Sequence, residues 1–156
     1  MYIGRVTLST GDTIPGTVIP GKNTCFVAWN GHQIGASSYE VLVNSHPQHA
    51  HLHWVVPTSD GHVPTDAVRG GVDASSEMPI FIARARPPGV HGTHAGGIRQ
   101  GDLACPIAYD GAEHVIDDYK ILCKKVIPEN SLLNPSHSNR NPHIAGLGNS
   151  PYSSSF

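Results

Sequence analysis

Charge is scarce in this sequence. Asp, Glu, Lys and Arg make up 14% of its 156 residues, against roughly 25% in an ordinary globular protein. The net charge is −2, and the isoelectric point of about 6.6 is not basic. A nucleic-acid binder would show clustered Lys/Arg and a basic isoelectric point, so no nucleic-acid partner is expected. No apolar run approaches the ~20 residues needed to span a bilayer, so no membrane insertion is expected. The opening Met1-Tyr2-Ile3-Gly4-Arg5-Val6 has no basic stretch followed by an apolar one, so no signal peptide is visible. The expected location is cytoplasmic, or outside the cell by a route without a conventional signal. Cysteine is scarce too. Cys25, Cys105 and Cys123 are odd in number and far apart, which speaks against a disulfide framework or a cysteine zinc knuckle. Each lies in an apolar run and reads as a buried, reduced thiol. There is no Gly-x-Ser-x-Gly elbow, no His-Glu-x-x-His and no Gly-rich phosphate loop. The chain therefore reads as a non-enzyme without cofactor or metal.

Helical periodicity of useful length is also missing, and Ala67-Val68 and Val115–Tyr119 are expected to hold a single helical turn at most. Turn residues are abundant instead, with 17 glycines and 13 prolines. That balance predicts an all-β protein of short strands. Histidine is over-represented, with 11 copies; near pH 6 most would carry charge and the net sign would become positive. His49, His51 and His53 alternate, so in an extended segment they share one side. A polar linker and a set of metal ligands are the two readings of that pattern.

An internal repeat organises the chain. Tyr2-Ile3-Gly4-Arg5-Val6 matches Phe81-Ile82-Ala83-Arg84-Ala85 at an offset of 79. Cys25-Phe26-Val27-Ala28-Trp29-Asn30-Gly31 matches Cys105-Pro106-Ile107-Ala108-Tyr109-Asp110-Gly111 at an offset of 80. Tyr39-Glu40-Val41-Leu42-Val43 matches Tyr119-Lys120-Ile121-Leu122-Cys123, again at 80. These blocks read as strands, and Asn30-Gly31 is the dipeptide best suited to a tight hairpin turn. The stretch Trp54–Asp73 has no counterpart before Tyr2. The expected organisation is thus the second half of a first repeat (2–43), a His-rich linker (44–53), a complete second repeat (54–124), and a disordered Ser/Asn/Pro-rich tail (125–156). With half a repeat missing, residues 2–43 should lack partners within the chain. The resulting exposed sheet edges predict a homodimer.

Taken in order, Trp54, then Pro64-Thr65-Asp66-Ala67-Val68-Arg69-Gly70-Gly71-Val72-Asp73, then the Phe81, Cys105 and Tyr119 blocks resemble the DM-nine repeat, which also forms the lectin-like part of natterin-like proteins. The resemblance covers roughly residues 2–124. It implies intertwined antiparallel sheets in which tandem repeats lend strands to each other. It also implies mannose-type carbohydrate recognition, often in innate immunity and commonly by a dimer. In family members that bind mannose, an Asp after Gly-x and a Lys in a later Pro-Gly-Lys hold the sugar. Asp73 matches the Asp. Thr17, in Pro15-Gly16-Thr17, stands where the family has Lys; the second copy reads Gly92-Thr93-His94-Ala95 in that region, and Arg99 is its candidate substitute cation.

Sugar recognition needs few groups. A carboxylate accepts hydrogen bonds from vicinal hydroxyls, a cation donates to sugar oxygens, and a turn backbone completes the site. Asp73, Gly71, Thr17 and Arg99 are the candidate ligand-binding residues, with Gly70-Gly71 allowing close backbone approach. The alternative for Asp73 and the glycines is a capped turn. Mid-strand Arg5 and Arg84 must be paired, Glu40 or Glu113 being the candidate acids; Trp29 and Trp54 either pack in the core or stack on a sugar. The overall reading is a carbohydrate-binding, lectin-like protein. Its alternative is a degenerate scaffold that does not bind sugar and acts through self-association.

Overall fold

The computed structural model describes residues 1–128 and 153–156. Its elements are β1 (Tyr2–Thr7), β2 (Thr13–Ile19), β3 (Thr24–Trp29), β4 (His32–Ala36), β5 (Tyr39–Val41), β6 (Ala50–Val55), β7 (Arg69–Val72), β8 (Pro79–Ala85), β9 (His94–Ile98), β10 (Cys105–Tyr109), β11 (Ala112–Ile116), β12 (Tyr119–Val126) and β13 (Ser153–Ser155). A 3-10 turn at Pro20–Lys22 is the one helical element among the described residues. The fold is all-β, as expected, and none of the described residues form a helix long and apolar enough to cross a membrane.

The strands form one path in the order β13-β5-β1-β2-β3-β4-β11-β10-β9-β8-β12-β6, with β7 bridging β2 and β8. Its middle is symmetric: five strands lead up to the β4/β11 contact and five matching strands lead away. The register repeats as well. Arg5 lies opposite Glu40 between β1 and β5, and Arg84 lies opposite Lys120 between β8 and β12. Both Asn30-Gly31 and Asp110-Gly111 close two-residue hairpins in left-handed conformation, with φ of 52° and 85° in the first and 50° and 82° in the second. The Asn/Asp-Gly pair is what such a turn requires.

The path folds back so that β2 lies against β9. Thr17 Oγ1 accepts a 2.8 Å hydrogen bond from the amide of Ala95. Pro15 is fully buried, and its ring fills the space over Gly70 and Gly97, where a Cβ would come within 2.7 and 3.0 Å of it. Strands of the two halves thus interlock through proline on glycine.

Among the described residues three core clusters result. One joins Ile98, Ile107 and Ile121, one joins Val6, Val27 and Ile80, and one joins Ile3, Ile82 and Leu122 across the two halves. All three cysteines are free and buried. Burial pushes the Cys25 thiol up to about 12 and the Cys105 thiol higher still. Burial, with Asp66 adding to it, raises Cys123 to about 11. Thiolate is the reactive form. A disulfide-exchange thiol reagent at pH 8 is therefore expected to leave native protein unlabelled and to titrate three thiols in denaturant.

Ala67 forms a bridge to Cys123 and Val115-Ile116 end β11, within the expected limit of a single helical turn. Other expectations are corrected. The stretch read as a linker turns into β6 from Ala50, because Ala50–Val55 pairs with Ile121–Val126. The same pairing takes Lys125 and Val126 out of the tail. At the tail's far end Ser153–Ser155 pairs in parallel with Tyr39–Val41. The rest of the tail, 129–152, lies outside the described residues. Residues 2–43 do not lack partners: β1 pairs with β2 and β5, β4 with β11, and β5 with β13.

Candidate functional site

Asp73 and Arg99 meet. Asp73 follows β7 and opens the loop to β8, while Arg99 follows β9. Arg99 Nε and Nη2 donate to Asp73 Oδ2 at 3.3 and 3.2 Å. Oδ1 accepts from the Ser75 hydroxyl at 2.7 Å and from the Ser75 and Ser76 amides at 3.0 and 3.2 Å. The Ser75 hydroxyl most of all, then the Ser76 amide, with the Ser75 amide and Arg99 contributing less, hold the Asp73 pKa down at about 2. Five donors occupy the acceptor capacity of the carboxylate. Asp73 therefore caps its own loop and orients Arg99.

The loop is tethered from below by a residue that the sequence reading did not single out. Asp12 is buried. Its Oδ1 accepts from the Ala74 amide at 2.8 Å, and its Oδ2 accepts from Thr10 Oγ1 at 2.5 Å. The local signal is Thr10-Gly11-Asp12, a turn in which the hydroxyl and carboxylate engage each other. Asp12→Ala leaves the Ala74 amide without its acceptor. The expected cost is about 2 kcal/mol, read as a lowered midpoint in urea with an unchanged slope.

Arg99 lines a cleft of about 190 Å³ together with Trp29, Asn30, Gly97, Pro106 and Glu113. The cleft is built from the β3–β4 hairpin of one half and β9–β11 of the other. Its lining residues carry a guanidinium, a carboxylate, a carboxamide and an indole. That is the group set used to orient a polyhydroxylated ring: planar charged donors and acceptors for hydroxyls, and an aromatic surface for C–H faces. The volume is below the roughly 300 Å³ at which ordinary small-molecule sites begin.

The repeat generates a second cleft by the same construction. It is lined by Thr17, Lys22, Phe26, Gln33, His94, Tyr109 and Asp110, with a volume of about 320 Å³. Tyr109, Asp110 and Gln33 stand where Trp29, Asn30 and Glu113 stand in the first. His94 packs edge-on against Tyr109 with ring centroids 5.3 Å apart, and burial pushes its pKa below 6.5. The described residues contain no group of three or more His, Cys, Asp or Glu side chains able to hold a metal.

The four candidate residues thus do not converge. Asp73 and Arg99 form one pair. Thr17 faces the other cleft, is 7% exposed, and has its hydroxyl engaged by Ala95. Gly71 lies within β7, where a Cβ would stand 1.9 Å from the Thr13 carbonyl oxygen; its lack of a side chain serves the contact between β7 and β2. The strand register also sets Gly97, not Ala95, as the counterpart of Thr17, since Ile3 opposes Thr17 and Ile82 opposes Gly97. Arg5 pairs with Glu40 through bonds of 3.2 and 3.1 Å. Arg84 instead stacks on Trp54, 4.4 Å from the ring centroid, and Glu113 is left to the first cleft.

An interlocked all-β protein with two pseudo-symmetric polar clefts is the class that this geometry defines. The family model of the DM9 repeat matches residues 1–116. The chain belongs to the DM9 repeat family. Among solved structures it is similar to the crystal structure of the nematode sperm cell motility protein MFP2B, with a TM-score of 0.58 and 17% sequence identity. The match covers 81% of this chain but 37% of that one, and at this identity it speaks for the fold alone. The comparison with curated proteins gives no match.

Proposed function

We propose that the protein is a non-enzymatic, lectin-like module that binds mannose-type glycans in the cleft beside Arg99. The observation that carries this reading is the Asp73–Arg99 pair, which fixes the guanidinium of a residue lining a small cleft that Glu113 and Trp29 also line. The division of labour differs from the family expectation. Arg99, in place of the family Lys, donates to hydroxyl oxygens; Glu113 accepts from a vicinal hydroxyl; Asp73 positions Arg99. The second cleft lacks an Asp–Arg pair, because Ile19 lines it where Arg99 lines the first. Recognition of microbial surface glycans in innate immunity is the role that fits such a module. Weak single-site affinity would then be raised by presenting more than one cleft to a particle. Retention of the full chain on immobilised mannan, with elution by free mannose, tests the proposal; no retention above an inert polysaccharide ends it.

A specific observation also favours the second reading, a scaffold that self-associates without sugar. Both carboxylate oxygens of Asp73 are engaged internally, and among the described residues β6 ends the strand path with Leu52 exposed, an edge that could pair with another copy. A dimer by light scattering, combined with an empty glycan array, selects it.

A further inference from the structure

The two halves of the sheet end differently, yet they end on the same arrangement. At one end β6 runs antiparallel to β12, and Trp54 sits opposite Leu122. Trp54 covers the Arg84 guanidinium. At the other end, among the described residues, no antiparallel strand like β6 lies beside β5. There β13 runs parallel to β5, with Ser155 opposite Val41, and the Phe156 amide donates to the Val41 carbonyl at 3.3 Å. Phe156 therefore stands beside Leu42, the counterpart of Leu122. Its ring covers the Arg5 guanidinium at 4.2 Å, against 4.4 Å for Trp54 over Arg84. Phe156 and Trp54 also pack on the same cross-half cluster, alongside Leu42 and Val68. A strand of opposite direction thus delivers an aromatic ring to the equivalent place.

We infer that the outer edge of β5 is a strand-receiving site, with Arg5 as its aromatic-reading residue, and that Ser153–Phe156 of the same chain is its built-in ligand. The chemistry sets the preference. An edge strand offers unpaired amides and carbonyls to any extended segment, so the backbone alone discriminates little. Selection comes from the Arg5 face. Its guanidinium is fixed in plane by two bonds to Glu40, leaving a flat cationic surface that attracts an aromatic ring. Next to it Leu42 supplies an apolar wall. The site fits a short extended segment of small residues ending on an aromatic one.

The test uses the full chain. Phe156→Ala is expected to raise amide exchange across residues 39–42 by at least about tenfold, while exchange across β6 and β12 stays unchanged. Phe156→Trp, which imitates Trp54, is expected to keep the protection. A labelled peptide of residues 150–156 added in trans should bind the Phe156→Ala chain at least about tenfold more tightly than the wild type, whose own segment competes. Binding should be lost when the peptide itself carries Phe156→Ala. Equal exchange in wild type and Phe156→Ala overturns the inference, as does a peptide that binds both chains alike or neither. Protection of 39–42 that disappears on dilution assigns the segment to a second copy and overturns its assignment as a ligand of its own chain.

Discussion

Alanine at Gly16 is expected to cost about 3 kcal/mol or more and to lower the melting temperature by roughly 10 °C. Gly16 has an ordinary extended backbone, so the effect is steric and not conformational. An added Cβ would stand 2.0 Å from the Phe26 carbonyl oxygen and 2.7 Å from Val27 Cγ1. The first of these is main chain within β3 and cannot swing away. Relief requires β2 to lift from β3, and with it the pairs Thr17–Phe26, Val18–Cys25 and Ile19–Thr24. The Pro15 ring, seated over Gly70 and Gly97, would be dragged along. Gly96→Ala should behave alike, because its Cβ would meet the Pro106 carbonyl oxygen at 2.0 Å, the equivalent atom 80 residues on. Gly21→Ala is the control: nothing lies within 4 Å of its Cβ, and its change should stay within about 0.5 kcal/mol. Thermal unfolding of the three variants checks this. A Gly16→Ala protein as stable as Gly21→Ala would show that β2 and β3 do not approach as described.

The same glycines explain what the sequence made legible and what it hid. The blocks starting at Tyr2, Cys25, Tyr39, Phe81, Cys105 and Tyr119 are rich in β-branched and aromatic residues, and all became strands. The offset of 79 then 80 reappears in the register, where Arg5–Glu40 maps on Arg84–Lys120. β2 and β9 escaped notice because Ile14-Pro15-Gly16-Thr17 and Ala95-Gly96-Gly97 carry the residues that ordinarily mark turns. Here glycine is demanded by neighbouring backbone in another strand, a requirement that local pattern does not carry. The site was half legible for the same reason. Asp73 and Arg99 were found, but Trp29 and Glu113 join them only through the fold-back of β3 and β4 onto β9–β11. Asp12 supports the Asp73 loop from 61 residues upstream, across the interlock. Phe156 escaped because it lies beyond the repeat, in a polar segment with no apolar period of its own.

Arg99→Ala is expected to abolish retention on mannan, with a loss of about tenfold to a hundredfold in affinity for a mono- or disaccharide. The range follows from losing one charge-assisted hydrogen bond in a partly enclosed cleft, a net of roughly 1.5–3 kcal/mol. Arg99→Lys keeps the charge but loses the planar fork that Asp73 holds, so only part of the affinity should return. Glu113→Gln should weaken binding through the loss of the anionic acceptor. Asp73→Asn is the informative comparison. It retains an Oδ1 acceptor for the Ser75 and Ser76 amides while releasing Arg99, so it should weaken binding less than Arg99→Ala. A larger loss on Asp73→Asn than on Arg99→Ala would return the sugar contact to the carboxylate. The pH dependence follows from the same pair. The folded pKa of Asp73 is depressed to about 2, so its carboxylate is charged throughout pH 4–8, and its contribution is lost only as pH falls below the ordinary carboxylate value of 3.8 toward 2. Retention should therefore be flat from pH 8 to about 5 as far as Asp73 and Arg99 govern it. Isothermal titration with mannobiose across that range, on wild type and the four variants, measures each step. Wild-type binding that survives Arg99→Ala unchanged removes the cleft from the mechanism and leaves self-association as the reading to pursue.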